Sequence, residues 1–191
     1  MAEQIEHAER EVYYVSTGFG VATQLGVSVA DVNSALVNQG HSADINIFDT
    51  QSVGYSLWLG WQLYHHVALE LGYLDFGASS VDLNTLSSGG ERALLDAMPT
   101  AGHGMSIALK PSYELSDNWT VTGRIGLMNW ASDLELVDLK SDKSGTDLLL
   151  GAGLSYHLSE GWAVELSWDT TKMDQTQNHL VAFNIAYQFN W

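Results

Sequence analysis

Apolar residues recur at every second position along most of this chain. The closing segment "HLVAFNIAYQFNW" sets Val181, Phe183, Ile185, Tyr187 and Phe189 against Ala182, Asn184, Ala186, Gln188 and Asn190. A side-chain period of two belongs to a β-strand with one bulky apolar face and one small or polar face. The alternation returns in "YVSTGFGVATQL", "SVGYSLWLGWQL", "HVALELGY", "GMSIALKPSYEL", "WTVTGRIGLMNW", "DLLLGAGLSYHL" and "WAVELSWDT". No helical period of comparable length competes with it. The pattern predicts eight strands, at about 12–28, 50–63, 66–76, 102–115, 119–131, 147–158, 162–171 and 179–191, with 1–11 as an N-terminal segment.

The connections alternate in length. Those near 63–66, 115–118 and 159–161 are tight, whereas 29–48, 76–101, 132–146 and 172–178 are longer and polar. Short turns at one end and long loops at the other describe an up-and-down antiparallel barrel. With an even number of strands, both termini fall at the short-turn end. The stretch 83–100, "LNTLSSGGERALLDAMPT", is expected to be the least ordered loop or a short excursion beyond the membrane, not needed to close any ladder.

Volume decides which face is inside. A narrow eight-stranded barrel fills its interior with side chains and leaves little further space. The apolar parity carries Leu, Val, Ile, Phe, Tyr and Trp in every strand, while the other parity is mostly Gly, Ala, Ser and Thr. The bulky set therefore points outward, and an apolar exterior requires lipid. Hydrocarbon in turn requires every backbone polar group to be paired, which a closed barrel achieves. The predicted fold is all-β, a single eight-stranded antiparallel up-and-down transmembrane β-barrel over 1–191. Strands of about 9–11 residues suffice to cross a bilayer.

Aromatic positions give a separate indication. Trp61, Tyr113, Trp119, Tyr156, Trp162, Tyr187 and Trp191 fall at the tight-turn ends of their strands. Rings with one polar edge favour the headgroup level and form a belt there. Tyr55, Tyr73 and Trp168 stand near the long-loop ends, where a second belt belongs.

Charge narrows the partners. There are 23 Asp and Glu against 7 Lys and Arg, a formal charge of −16. Nucleic acid is not a partner for such a chain, because its phosphates need Lys and Arg. Cysteine is absent, which removes disulfides and thiolate metal sites. The acidic opening "MAEQIEHAEREVYY" lacks the basic start and apolar run of a signal peptide, so a mature chain behind a start Met is expected, with a cytoplasmic protein as the alternative.

These segments resemble the transmembrane barrel of the OmpA family of bacterial outer-membrane proteins. "LGWQLYHHVALELGYLDF" looks like that family's second strand, first turn and third strand. "LKPSYELSDNWTVTGRIGLMNWASD" looks like its fourth and fifth strands, and "GAGLSYHLSEGWAVELSW" like its sixth and seventh. The ending resembles the carboxy-terminal signal of outer-membrane barrels, carried here by Phe183, Ile185, Tyr187, Phe189 and Trp191. The resemblance implies the barrel-assembly machinery as a partner through that strand, periplasmic termini, and residues 1–11 in the periplasm. The apolar exterior and the acidic long loops add outer-membrane lipids and lipopolysaccharide as expected partners, and a monomer is expected. Family members usually continue into a peptidoglycan-binding domain. This chain stops at a signal-like residue, so a barrel without that domain is expected.

Alternation points Glu70, Lys110, Arg124 and Glu165 inward near mid-strand, with Glu114 and Asp169 nearer the ends. Lumen charges are expensive unless paired, so two acids and two bases suggest a salt-bridge network across the lumen. The family has such a network, thought to gate a small pore. Glu70, Lys110 and Arg124 match its charged positions. Glu165 stands where the family often has Arg, and Ser155 where it often has Glu, so its particular pairs do not carry over.

Other chemistry is weaker. His41, His103 and His179 lie in or beside long loops without metal-ligand spacing, so no metal or other cofactor is expected. Ser155 and His157 share one strand at the tight-turn end and do not form a catalytic set, so no enzyme is expected. The expected role is structural, as an integral outer-membrane component. The alternatives are a narrow ion or small-solute pore gated by the lumen salt bridges, and a loop-mediated adhesin or receptor.

Overall fold

The computed structural model describes residues 12–26, 28–38, 40–41, 43–77, 80–86, 94, 100–136, 139–159 and 161–190. The side chains of 29, 43–49, 80–86, 133–141 and 190 lie outside this description. So do residues 1–11 and Trp191, and with them the expectations placed there.

Eight strands close into an antiparallel barrel: β1 (Val12–Leu25), β3 (Gln51–Tyr64), β4 (Val67–Asp75), β6 (His103–Glu114), β7 (Trp119–Leu136), β8 (Leu139–Ser159), β9 (Trp162–Met173) and β10 (Thr176–Asn190). Each pairs with its neighbour in sequence, and β10 closes the cylinder on β1, from Val12↔Asn190 to Leu25↔Gln177. Closure leaves no barrel edge unpaired, which is the condition for a sheet in hydrocarbon. The alternation is realised throughout. Phe19, Val53, Leu59, Ile107, Leu127, Leu166 and Ile185 are exposed outside, while Ser56, Glu70, Arg124, Glu165 and Asn184 are buried inside.

The tight-turn end matches the sequence pattern. His65 and His66 turn β3 into β4, residues 115–118 join β6 to β7, and Gly161 turns β8 into β9 with φ of 86°. Left-handed backbone of this kind suits glycine.

The other end differs from expectation in three ways. The first connection holds a helix, α1 (Val29–Asn38), and a strand, β2 (Ala43–Asp49), which pairs with β5 (Ser80–Leu86) as a separate two-stranded ribbon. Residues 83–86 therefore do belong to a ladder, contrary to the expectation for 83–100. Helix α1 starts at a reciprocal cap. The Ser28 hydroxyl donates to Asp31 Oδ2 at 2.6 Å, and the Asp31 amide donates back to Ser28 Oγ at 3.2 Å. The Ser28 hydroxyl holds the Asp31 carboxyl below its usual range. Second, 132–146 is no loose loop: β7 and β8 run on as a two-stranded ribbon, paired to Leu136↔Leu139. Third, 172–178 is no long loop. It is a hairpin turning at Asp174, whose φ of 56° is left-handed.

Candidate functional site: the barrel lumen

The lumen is layered along its axis. Its central layer is ionic. Lys110 Nζ stands 2.9 Å from Glu165 Oε2 and 3.4 Å from Glu70 Oε1. Arg124 donates from Nε to Glu70 Oε2 at 2.6 Å, from Nη2 to Glu70 Oε1 at 3.4 Å, and from Nη1 to Asp169 Oδ1. Its Nη2 also lies 3.9 Å from Glu165 Oε1. The structure thus brings Glu70, Lys110, Arg124 and Glu165 together. It corrects the placement of Asp169, which is fully buried on Arg124 rather than near a strand end. Three carboxylates therefore share two cationic partners.

Sequence reasoning missed two further members. Tyr14 donates its hydroxyl to Glu70 Oε1 at 2.6 Å, and Lys110 Nζ sits 5.4 Å from the Tyr14 ring centre. Trp58 lies under the guanidinium, with Arg124 Cζ 3.8 Å from its ring centre. A signal for such contacts exists in the inward glycines. Tyr14 and Glu70 sit on β1 and β4, and the intervening β3 places Gly60 opposite both. Arg124 and Asp169 sit on β7 and β9, and the intervening β8 places Gly151 opposite both. A Cβ at Gly60 would strike the Tyr14 ring, and one at Gly151 the Asp169 carboxylate. A missing side chain between two inward ones is what lets them meet.

Toward the long-loop end the lumen is apolar. Trp58, Leu74, Phe76, Met128, Trp130, Leu149, Met173 and Leu180 pack with Ala22 and Ala182 as one buried cluster. Residues 100–102 lie across this end as a strap. The Thr100 amide donates to Thr176 Oγ1 at 2.9 Å, Asn178 Nδ2 donates to the Thr100 carbonyl at 3.0 Å, and the Ser132 hydroxyl donates to the Ala101 carbonyl. The Phe76 amide donates to the Gly102 carbonyl at 2.9 Å, tying β4's end to the strap.

Toward the tight-turn end the lumen is open. A cavity of about 610 Å³ is lined by Ser16, Gln62, Ser112, Thr120, Thr122, Ser155, His157 and Gln188, and reaches inward to Tyr14, Lys110 and Glu165. The Ser155 hydroxyl donates to Glu165 Oε2 at 2.6 Å, and Thr120 Oγ1 lies 3.1 Å from His157 Nε2. Glu114 lines the same cavity but is exposed. In the deeper layers Trp58 Nε1, Ser106 Oγ, Asp169 Oδ2, Thr171 Oγ1 and Asn178 Oδ1 are buried without a hydrogen-bond partner among the described residues.

The outer surface carries the aromatic residues in pairs. At the tight-turn end Trp119 meets Tyr156 and Trp162 meets Tyr187, both at 4.8 Å between ring centres, and Tyr13 stacks on Trp61 at 6.3 Å. Tyr113 is exposed there alongside them. At the other end Tyr55 stacks on Tyr73 at 5.8 Å and Trp168 on His179 at 5.7 Å, while His103 sits 6.0 Å from Tyr73. Phe183, Ile185, Tyr187 and Phe189 face outward along β10.

A closed eight-stranded barrel with an apolar exterior, aromatic girdles and a polar, ion-paired lumen is a transmembrane barrel of the bacterial outer membrane. The chain belongs to the outer membrane protein beta-barrel domain family, which matches residues 4–189. It is similar to outer membrane protein A of Serratia marcescens, 23% identical over 151 residues, covering 72% of this chain and 39% of that protein. It thus spans about two fifths of that relative's length. Among solved structures it resembles the N-terminal β-barrel domain of Pseudomonas aeruginosa OprF, with TM-score 0.58 at 13% identity over 93% of this chain and 97% of that one. It also resembles Ail, the attachment invasion locus protein of Yersinia pestis, solved with the heparin analogue sucrose octasulfate. There the TM-score is 0.57 at 14% identity over 94% of this chain and 99% of that one. Neisserial surface protein A gives TM-score 0.56 at 11% identity, covering 93% and 97%. At such identities the likeness is one of fold.

Proposed function

We propose that this barrel is a structural component of the outer membrane whose lumen is closed to ions and solutes. One observation carries the reading: the periplasm-side cavity ends at the ionic layer, and above that layer lie the apolar cluster and the strap. An ion crossing that cluster would lose its hydration without replacement. The outward residues of β10 supply the surface by which the barrel-assembly machinery takes up the chain. The two girdles set the depth of a monomer among lipids and lipopolysaccharide. The reading is non-enzymatic, since the Ser155 hydroxyl is engaged by Glu165 and the His157 ring by Thr120.

Planar-bilayer recording tests it. The refolded wild-type barrel is expected to show no potassium or chloride conductance steps above the bare membrane. Wild-type steps that substitutions at Lys110 or Arg124 alter would replace this reading with that of a gated pore.

A second reading has its own support. Helix α1, the β2–β5 ribbon and the β7–β8 ribbon form ordered structure at the extracellular end, beyond what closing the barrel requires. Built loops of this kind suit a loop-borne adhesin or receptor. The acidic balance of the chain disfavours a sulfated polyanion such as the one bound to Ail.

A further inference from the structure

The inward face of β9 is polar at four successive positions: Glu165, Ser167, Asp169 and Thr171. All four are buried. The apolar cluster that fills the same half of the lumen comes mainly from other strands. This column begins at the cavity, where Glu165 is part of the lining. It continues across the register onto Asn178, which faces Thr171 from β10. Asn178 in turn donates to the Thr100 carbonyl in the strap, and Thr100 Oγ1 lies 3.4 Å from the partly exposed Lys143 Nζ. A polar thread thus runs from the periplasmic vestibule to the extracellular mouth along one wall.

Three oxygens on that thread have no partner among the described residues: Asp169 Oδ2, Thr171 Oγ1 and Asn178 Oδ1. A buried polar atom left unpaired costs about 1–3 kcal/mol, so such atoms are normally served by ordered water. Successive inward residues on a strand stand about 6.8 Å apart, a gap that one or two bridging waters span. The open cavity does not continue this far, because its lining includes neither Asp169, Thr171 nor Asn178. Single waters between fixed acceptors can hand on protons. They give no passage to a hydrated ion.

The charges supply the exchangeable site. Asp169 faces Arg124 from β7, with Glu70 on β4, Glu165 on its own strand and Lys110 on β6 completing the layer. Five charged side chains with one formal excess negative charge, beside the neutral Tyr14 hydroxyl on Glu70, leave one carboxylate to be balanced by a proton. Asp169 is the acid with a single cationic contact and a free second oxygen. Ionisable residues inside a membrane protein mark such relays.

We propose that the barrel carries protons, and no larger ion, along the inner face of β9, with Asp169 as the proton-accepting relay. Asp169 Oδ2 takes a proton from water on the vestibule side and releases one to the water shared with Thr171. The proton then leaves along water held at Asn178 Oδ1, past the strap to the mouth. This path is compatible with a lumen sealed to ions and adds an activity to it.

The test uses the whole chain refolded into phosphatidylcholine–phosphatidylglycerol vesicles that enclose a pH-sensitive dye. A potassium gradient with valinomycin drives proton entry. Wild type is expected to acidify the interior at least tenfold faster than protein-free vesicles. Asp169→Asn keeps the contact with Arg124 but cannot relay, and should return the rate to background. Thr171→Val keeps the shape of the β9 wall, breaks the thread one step further on, and should do the same. The outward-facing Val53→Ala should leave the rate unchanged. Circular dichroism of each variant confirms the refolded barrel. Background rates in wild type overturn the proposal, as do wild-type rates in folded Asp169→Asn and Thr171→Val. Potassium or chloride flux through wild type, measured without valinomycin, overturns both this proposal and the sealed-barrel reading. Absent proton flux with absent ion flux overturns this one alone.

Discussion

Lys110 tests the lumen network at the level of one residue. Its ammonium group serves Glu165 at 2.9 Å and Glu70 at 3.4 Å, with its side chain 13% exposed. Lys143 also holds an acid, Asp174 at 3.0 Å, but that pair is 22% and 43% exposed. Removing one partner of a buried pair strands the other and costs roughly 3–5 kcal/mol, whereas an exposed pair contributes about 0–1 kcal/mol. Lys110→Met should therefore lower the denaturant midpoint of the refolded barrel well beyond Lys143→Met. Equal shifts would mean that the central layer is not a buried network. The inward direction of Glu70, Lys110, Arg124 and Glu165 was legible because it follows from parity alone. The depth of Asp169 was not, because parity gives the face and the stagger between strands gives the height. Tyr14 and Trp58 escaped for a related reason. An aromatic residue on the small-residue parity reads as an exception until the glycine facing it, Gly60 or Gly72, is seen to make room.

At the level of the element, β10 carries the clearest test of the inside-out barrel. Its outward residues stand among the neighbours that close the cylinder, with Ile185 opposite Thr17 on one side and Val164 on the other. Ile185 is 46% exposed, on a surface that faces lipid. An arginine there meets hydrocarbon, and Ile185→Arg should destabilise the inserted barrel by about 2–4 kcal/mol if the position lies near the midplane. Urea titration in lipid vesicles measures this, and a neutral result would contradict the assignment of faces. The eight barrel strands were legible because lipid on one side and a narrow lumen on the other force strict alternation. Outside the membrane that constraint lapses. The far ends of β7 and β8, "SDLELVDLKSDKSG", need no apolar face to pair with each other, so they read as a polar loop. Helix α1 is only ten residues long, too short for its period to stand out against the strands around it.

Taken whole, the barrel is a cup open at its tight-turn end, and its closed end rests on a few large side chains that interrupt the otherwise small inward parity. The narrow lumen excludes the barrel's full set of bulky residues. It does not forbid a few of them inside where opposing positions are small. Trp58 and Met128 are two of those few, both fully buried, on strands that approach from different sides of the lumen. Truncating both to alanine removes an indole and a thioether chain. It also leaves Arg124 without the ring on which its guanidinium lies. A single large-to-small change in a packed core costs about 2–5 kcal/mol because the surroundings collapse only in part. A barrel pinned by its strand ladders is poorly able to collapse, so the space should persist and join the vestibule below. The double variant Trp58→Ala with Met128→Ala is therefore expected to fold with reduced denaturant resistance and to show potassium conductance that wild type lacks. A folded double variant that stays silent in the planar bilayer would place the seal elsewhere, in the strap at Thr100, Ala101 and Gly102. Conductance in wild type itself would show that the apolar cluster is not the seal.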